Sequence, residues 1–91
     1  LEKFKENIRK YEDGLEVVKN SEIYRYNLKT DKETEKIGFV IGDNYKTPSE
    51  VISKNGDGID IYSMISILWN AVQSQQKIIE KLLERNDKYD K

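Results

Sequence analysis

Residues 61–82, IYSMISILWNAVQSQQKIIEKL, decide the fold of this chain because their apolar side chains repeat at a helical spacing. The repeats alternate between steps of four and three residues, and neither glycine nor proline interrupts the segment. This pattern predicts one long amphipathic helix that forms a coiled coil with helices of other chains. The seam of the predicted coil consists of Ile61, Ile65, Leu68, Val72, Gln75, Ile79 and Leu82.

The seam pattern leaves the number of helices in the coil open. Branched residues at the a positions with leucine at d favour a two-stranded coil. Further apolar side chains flank the seam on both sides, which makes the stripe wide enough to pack against more than one neighbour. Gln75 is polar, and its symmetry mates in a parallel assembly can supply its hydrogen bonds. The flanking apolar residues are Met64, Trp69, Ala71, Ile78 and Leu83.

The predicted fold class is α+β, with a short N-terminal helix, a small antiparallel sheet and a long C-terminal helix in a parallel coiled coil. We expect one domain overall, because the chain has 91 residues. Residues 1–60 should form a small α+β body that carries the N-terminal block. Residues 61–91 should form the long heptad helix that joins the chains.

Shorter sequence patterns predict the remaining elements of the body. Glu12–Lys19 is typical of a short helix, with acids at its start and a lysine at its end. Ile23–Leu28 and Ile37–Ile41 predict the two strands of a hairpin, joined by a solvated polar loop at Thr30–Glu35. Asn55–Gly58 predicts a turn. Its similarity to a calcium loop is superficial, because the downstream glutamate and the ligand spacing are missing, and no metal site is predicted.

Composition excludes several classes of function. The 16 basic and 17 acidic residues are interspersed, so we expect no nucleic-acid partner. The absence of cysteine and histidine removes disulfides, thiol nucleophiles, histidine bases and zinc clusters, and we predict no cofactor. No apolar stretch approaches the roughly 18 residues of a membrane span. The apolar fraction of 36% lies below the roughly 45–50% usual for globular chains, so oligomerisation is expected to supply the missing burial.

Five blocks, in order and over nearly the whole chain, resemble the C-terminal intramolecular chaperone domain of bacteriophage tailspikes, endosialidases and neck appendage proteins. Lys3–Ile8 resembles the opening block of that family, which typically ends in Lys-Glu-Asn-Ile. Asp13–Val18 is similar to its short helix, and Tyr24–Asn27 and Ile37–Val40 are similar to its strands. Gly58–Met64 resembles its run into a long terminal helix. Each block alone is unspecific, whereas five in register are not.

The resemblance implies autoproteolysis by a serine–lysine dyad. Members cut themselves after a serine that would stand one position before Leu1, so the chain is expected to start where a released product would start. Lys5 would then be the general base, which requires its pKa to fall from about 10.4 toward neutrality. Glu6 and Asn7 could orient the backbone or polarise the scissile carbonyl, although hydrogen bonding that supports the structure is at least as common. The chain departs from the family at Ile41–Asn44, where Gln-Glu is usual, and at Leu1, where aspartate is commoner.

The resemblance also implies a homotrimer and a client. The domain would drive folding and trimerisation of an upstream β-rich phage tail or appendage protein and then be released, as a self-cleaving endopeptidase that acts once in cis or within its trimer. It would work in the host cytoplasm during phage assembly and be absent from the mature virion. A permanent, uncut trimerisation or attachment module is the alternative. An independent hydrolase is poorly supported, because the chain carries no recognisable nucleophile–base pair of its own.

Aromatic residues offer a further candidate surface for a folding client, although aromatics at strand spacing more often belong to a core. These residues are Tyr24, Tyr26, Phe39 and Trp69.

Overall fold

The computed structural model describes residues 1–89, and the last two residues of the predicted heptad segment, Asp90 and Lys91, lie outside the described part. The fold is α+β, with a two-stranded antiparallel sheet and a long C-terminal helix, as the sequence predicts. The elements in chain order are helix α1 at Gly14–Lys19, strand β1 at Tyr24–Leu28, strand β2 at Asp31–Gly38 and helix α2 at Ile61–Tyr89. Short 3₁₀ turns occupy Glu2–Phe4 and Ser49–Val51.

Helix α2 begins at a side-chain cap that fixes its first turn. The Asp60 carboxylate accepts hydrogen bonds from the backbone N–H of Ser63 at 3.1 Å and from the Ser63 hydroxyl at 2.8 Å. The Asp60 carbonyl also accepts the N–H of Met64 at 3.0 Å. These bonds satisfy donors that every helix leaves unpaired at its N-terminus. The helix then runs for 29 residues, or about 43 Å at 1.5 Å per residue.

Helix α1 packs on α2 through unusually small residues. An added Cβ at Gly14 would lie 2.6 Å from the carbonyl oxygen of Ile67 and 2.8 Å from the nitrogen of Ala71. Glycine at this position therefore allows the backbones of the two helices to approach closely. Among the described residues, the buried hydrophobic side chains are those of Val51, Ile67 and Ala71, so the core lies where α1 and the Ser49–Val51 turn meet α2.

Strands β1 and β2 form the predicted hairpin, but the boundaries of the second strand differ from the prediction. The loop predicted at Thr30–Glu35 is wrong, because pairing resumes at Asp31, and the strand predicted to reach Ile41 ends at Gly38. The register shifts between Asn27 and Leu28. Every residue of β2 except Gly38 is exposed, and an exposed strand needs no apolar alternation. Charged residues therefore fit β2, although their composition suggested a loop.

The predicted turn at Asn55–Gly58 is confirmed. It joins Ile52 to Ile59, which form an isolated antiparallel bridge. Gly56 has φ +83°, a left-handed backbone conformation that glycine adopts without strain. The Ser53 N–H donates to the Gly58 carbonyl at 2.8 Å and closes the turn. The chain consequently reverses direction just before α2.

The chain has an extended shape and a large surface. Its radius of gyration is 18.1 Å, whereas a compact chain of this length would have about 12 Å. Its accessible surface is 8509 Å², against about 5,500 Å² for a compact monomer of 10.7 kDa. The excess of about 3,000 Å² reflects the projecting helix and hairpin, which carry many exposed apolar side chains. Within residues 1–89, no helix combines the length and the apolarity needed to cross a membrane.

Gly14→Ala should destabilise the fold by about 1–3 kcal/mol, because the new methyl group would meet the backbone of α2. Thermal and urea unfolding followed by circular dichroism would measure the effect. Gly58→Ala is the matched control, since its Cβ would meet no atom closer than the Ser53 hydroxyl at 3.6 Å. Equal stability of the two variants would contradict the close helix packing.

Asp60 should make the stability of α2 depend on pH. Hydrogen bonds from the Ser63 N–H and then the Ser63 hydroxyl lower the pKa of Asp60 below its ordinary value of 3.8. The stabilisation from this carboxylate is therefore present above about pH 4 and is lost as the pH falls through the lowered pKa. Asp60→Asn keeps a capping oxygen but cannot titrate. It should be less stable than the wild type at pH 7, and the difference should shrink at pH 3. Asp57→Asn in the neighbouring turn is the control, and a pH-independent difference for Asp60→Asn would contradict the assignment.

Candidate functional site

The N-terminal block, Leu1–Ile8, is exposed throughout. Its first residues form a 3₁₀ turn, in which the Lys5 N–H donates to the Glu2 carbonyl at 3.0 Å. Lys5 leaves this turn in an extended conformation, with φ −123° and ψ 147°. Asn7 has φ 53°, a left-handed conformation that asparagine tolerates better than most residues. The block therefore bends at Asn7 before it continues toward α1.

The predicted base, Lys5, lies on the surface of the single chain. Within residues 1–89 its side chain makes no hydrogen bond or ion pair that the structure shows, and Glu6 and Asn7 are likewise exposed. The ammonium of Lys3 lies 5.1 Å from the ring centre of Phe4. The structure thus places the predicted site residues next to one another but encloses none of them, and their catalytic roles stay predictions.

Apolar side chains accompany the polar residues of the block. Leu1, Phe4 and Ile8 are 82%, 76% and 70% exposed, respectively. Three large apolar side chains within eight residues are costly to leave in water, at about 25 cal/mol for each Å² that could be buried. The block therefore presents a surface that would be stabilised by contact with another part of an assembly.

Asn70 ties the segment that follows this block to α2. The Asn70 side-chain oxygen accepts the Gly14 N–H at 2.8 Å, and its amide nitrogen donates to the Tyr11 carbonyl at 3.0 Å. One amide thus holds two backbone groups on either side of Glu12 and Asp13. We name this arrangement the Asn70 clamp. The sequence analysis missed it because an asparagine within a helix usually faces solvent. The only available signal was its position beside the small residue Ala71.

Tyr11 packs against α2 next to the clamp. Burial, followed by the nearby carboxylates of Glu50 and Asp13, raises the pKa of its phenol above the ordinary value of 10.0. Its ring lines an open groove with Tyr62 and Trp69 of the helix. Tyr11 thus contributes an apolar ring and a polar hydroxyl to this side of α2.

The seam residues all lie on α2 and are exposed in the single chain. At 3.6 residues per turn they occupy one side of the helix, whereas Ile67 and Ala71 face α1 on another side. Val72 is 62% exposed although it lies at the middle of the seam. The structure therefore brings the predicted seam together as one continuous surface that is apolar except at Gln75. It contains no second chain, and the oligomeric state stays a prediction.

The four candidate aromatic residues do not form a buried cluster. Tyr24, Tyr26 and Phe39 are half-buried near the hairpin, and Trp69 on α2 is 70% exposed. The Tyr24 hydroxyl accepts the Lys46 N–H and donates to the Glu22 carboxylate, both at 2.9 Å. Tyr24 therefore braces the loop after the hairpin. Trp69 does not belong to the core of the single chain.

The described part of the chain contains no group of three or more acidic residues placed to hold a metal ion. At the Asn55–Gly58 turn, the Asn55 side-chain oxygen accepts a hydrogen bond from the hydroxyl of the preceding Ser53 at 2.8 Å. The polar functional groups of the N-terminal block are the amines of Lys3 and Lys5, the carboxylates of Glu2 and Glu6, and the amide of Asn7.

One comparison with known proteins finds a match, and it covers the N-terminal part of the chain. A family model described as chaperone of endosialidase matches residues 2–43, which include the N-terminal block, α1 and the hairpin but not α2. No curated protein and no solved structure matches the chain. The matched family is the one that the sequence resemblance predicted from Lys3–Ile8 onward. Residues 2–43 are therefore similar to the family described as chaperone of endosialidase, in agreement with the sequence resemblance.

Proposed function

We propose that this chain is an intramolecular chaperone for an upstream β-rich phage tail or appendage protein, that it works as a parallel homotrimer, and that it is released by autoproteolysis before Leu1. The observation that carries the proposal is the exposed seam on α2, in a chain whose residues 2–43 match a chaperone family. In this proposal the domain acts in the host cytoplasm during phage assembly and is lost from the mature particle.

The physical need for such a helper follows from the topology of the client. Strand pairing among three chains requires contacts between distant residues, and the unpaired strand edges are prone to aggregation while those contacts form. A heptad helix makes mostly local contacts and can associate first. Joining the three chains through α2 raises their effective concentration and sets their register. Cleavage afterwards would leave a product that is trapped kinetically, since the device that guided its folding is gone.

A trimer is favoured over a dimer by the width of the exposed stripe. Helix α1 covers one flank of α2, whereas Trp69 and Leu83 on the other flank are exposed. A two-stranded coil would bury a narrow seam and leave these side chains in water. The surface excess of about 3,000 Å² is large enough for each chain to contact two neighbours, since a standard interface buries about 800 Å² on each partner.

The proposed cleavage step uses a serine before Leu1 and the amine of Lys5. The serine hydroxyl attacks the carbonyl carbon of the bond that precedes Leu1, and Lys5 takes the hydroxyl proton and delivers it to the departing Leu1 amine. Water then hydrolyses the ester. Attack by a serine on its own carbonyl would form a strained β-lactone. The nucleophile therefore comes more favourably from a neighbouring chain, and cleavage should follow assembly.

The isolated chain should be a homotrimer in solution, with about three times the 10.7 kDa mass of the monomer. Sedimentation equilibrium over a concentration series would measure this mass. Val72→Asp should dissociate the trimer, because it places a charge in the apolar seam. Gln73→Asp is the matched control, because residue 73 is exposed and lies outside the seam. A stable monomer, or a dimer that persists at high concentration, would rule out the trimer.

A longer chain that includes the upstream segment should cut itself before Leu1 without added protease. Lys5→Ala should lower the rate at least about a hundredfold while the trimer still forms, because general bases typically contribute 10²–10⁴-fold. Lys5→Arg should fail equally, since guanidinium does not deprotonate near neutral pH. Gel analysis with N-terminal sequencing of the product would follow the reaction.

Lys10→Ala provides the control for this experiment, because it removes an exposed lysine from the same segment. Processing of Lys5→Ala at the wild-type rate would show that the dyad assignment is wrong. If the codon immediately before Leu1 encodes a residue other than serine, the alternative is favoured, namely a permanent trimerisation module that is never cut.

A further inference from the structure

We propose that Asn70 is a positioning residue, which couples assembly of α2 to the placement of the N-terminal block for cleavage. This inference rests on the proposed autoproteolytic function. It begins from the contacts of the Asn70 clamp. Within residues 1–89, its two hydrogen bonds are the ones shown between the segment 1–14 and distant parts of the chain. Both go to backbone groups, so they fix the path of the segment whatever its side chains are.

The position of Asn70 on α2 connects the clamp to the assembly surface. Asn70 is two residues from both Leu68 and Val72, which places it about 160° around the helix from each of these seam residues. A change at Asn70 therefore leaves the seam intact. The helix that would be held in register by the seam is the same rigid element that carries the clamp. Ordering three copies of α2 would order three copies of the anchored segment.

The distance from the clamp to the predicted base is short enough for this coupling. Lys5 precedes Tyr11 by six positions, so an extended chain places Lys5 at most about 20 Å from the clamp. The bend at Asn7 shortens this reach. If the clamp opened, only the packing of the Tyr11 side chain against α2 would still hold the segment before α1, and the volume available to Lys5 would grow. Misplacing a reacting group by about 1 Å can cost about a hundredfold in rate.

The local packing indicates that the Asn70 amide acts through its hydrogen bonds and not only by occupying volume. The Asn70 side-chain oxygen would lie 2.6 Å from a Cβ at residue 14, so the clamp and the glycine fit each other. Asn70→Asp keeps an acceptor for the Gly14 N–H but loses the donor to the Tyr11 carbonyl. Asn70→Ala loses both bonds. The two variants therefore remove one and then both hydrogen bonds of the clamp without enlarging the side chain.

The test uses the full precursor, including the upstream segment, and measures the first-order rate of self-cleavage in purified trimers. Asn70→Ala should cleave about 10–30-fold more slowly than the wild type, as expected for the loss of two hydrogen bonds. Asn70→Asp should lie between them. Gln73→Ala is the matched control, because it removes a different amide from α2, at an exposed position. Sedimentation and thermal unfolding would establish that each variant is a folded trimer.

The dependence of the rate on pH separates positioning from simple destabilisation. If the clamp places Lys5 in its working environment, its loss should move the midpoint of the pH–rate profile as well as lower the plateau. A purely structural role would scale the rate equally at all pH values. Hydrogen exchange at the Gly14 amide, which needs no cleavage, should be faster in Asn70→Ala.

The outcomes are distinguishable. A wild-type precursor that does not cut itself would overturn the proposed function, whatever Asn70 does. A wild-type precursor that cleaves, together with an Asn70→Ala trimer that cleaves at the same rate and with the same pH midpoint, would overturn the positioning role. A variant that fails to trimerise would also overturn it, because the clamp would then act on assembly itself.

Discussion

The close approach of α1 to α2 at Gly14 is the contact on which the rest of the structure depends. The three buried hydrophobic residues of the described chain lie at or near this contact, and the clamp of Asn70 lies directly beside it. A core of this size stabilises a domain weakly, because each fully buried side chain contributes only about 1.5–3 kcal/mol. The N-terminal segment therefore depends on a small junction. Most of the remaining apolar surface is left for contacts outside the chain.

Different sides of helix α2 contact the body of the domain and carry the exposed seam. One side carries Ile67, Ala71 and Asn70 and holds the body of the domain, whereas the seam from Ile61 to Leu82 stays free. Since a helix transmits position along its length, both sides share one rigid frame. The proposed trimer would thus fix the bodies of three chains relative to one another, although those bodies need not touch. A separation of this kind allows the seam to change without disturbing the anchoring of the N-terminal block.

The elements with a periodic apolar pattern or with turn residues could be predicted from the sequence. The features that depend on polar contacts with the backbone could be predicted less well. The helix from residue 61, the α1 segment, the hairpin and the turn at Asn55–Gly58 follow from spacing and from turn residues. The extent of β2 was not predicted, because its exposed and mostly charged residues show no apolar alternation. The Asp60 cap could have been recognised from an acid three residues before Ser63. The contact of Asn70 with Tyr11 spans 59 positions in the chain, and no local pattern predicts such a bond.

The polar hairpin also affects how this domain can interact with other β-rich chains. Both of its strands are edges, and unpaired edges invite pairing with any other exposed strand. Here β2 is lined by charged residues, and Arg25 of β1 lies 3.5 Å from Glu35 on the neighbouring strand. Charges of both signs along an edge discourage a foreign strand from adding to the ribbon. A helper for β-rich chains, as proposed, would in this way handle its client without becoming part of the client's sheet.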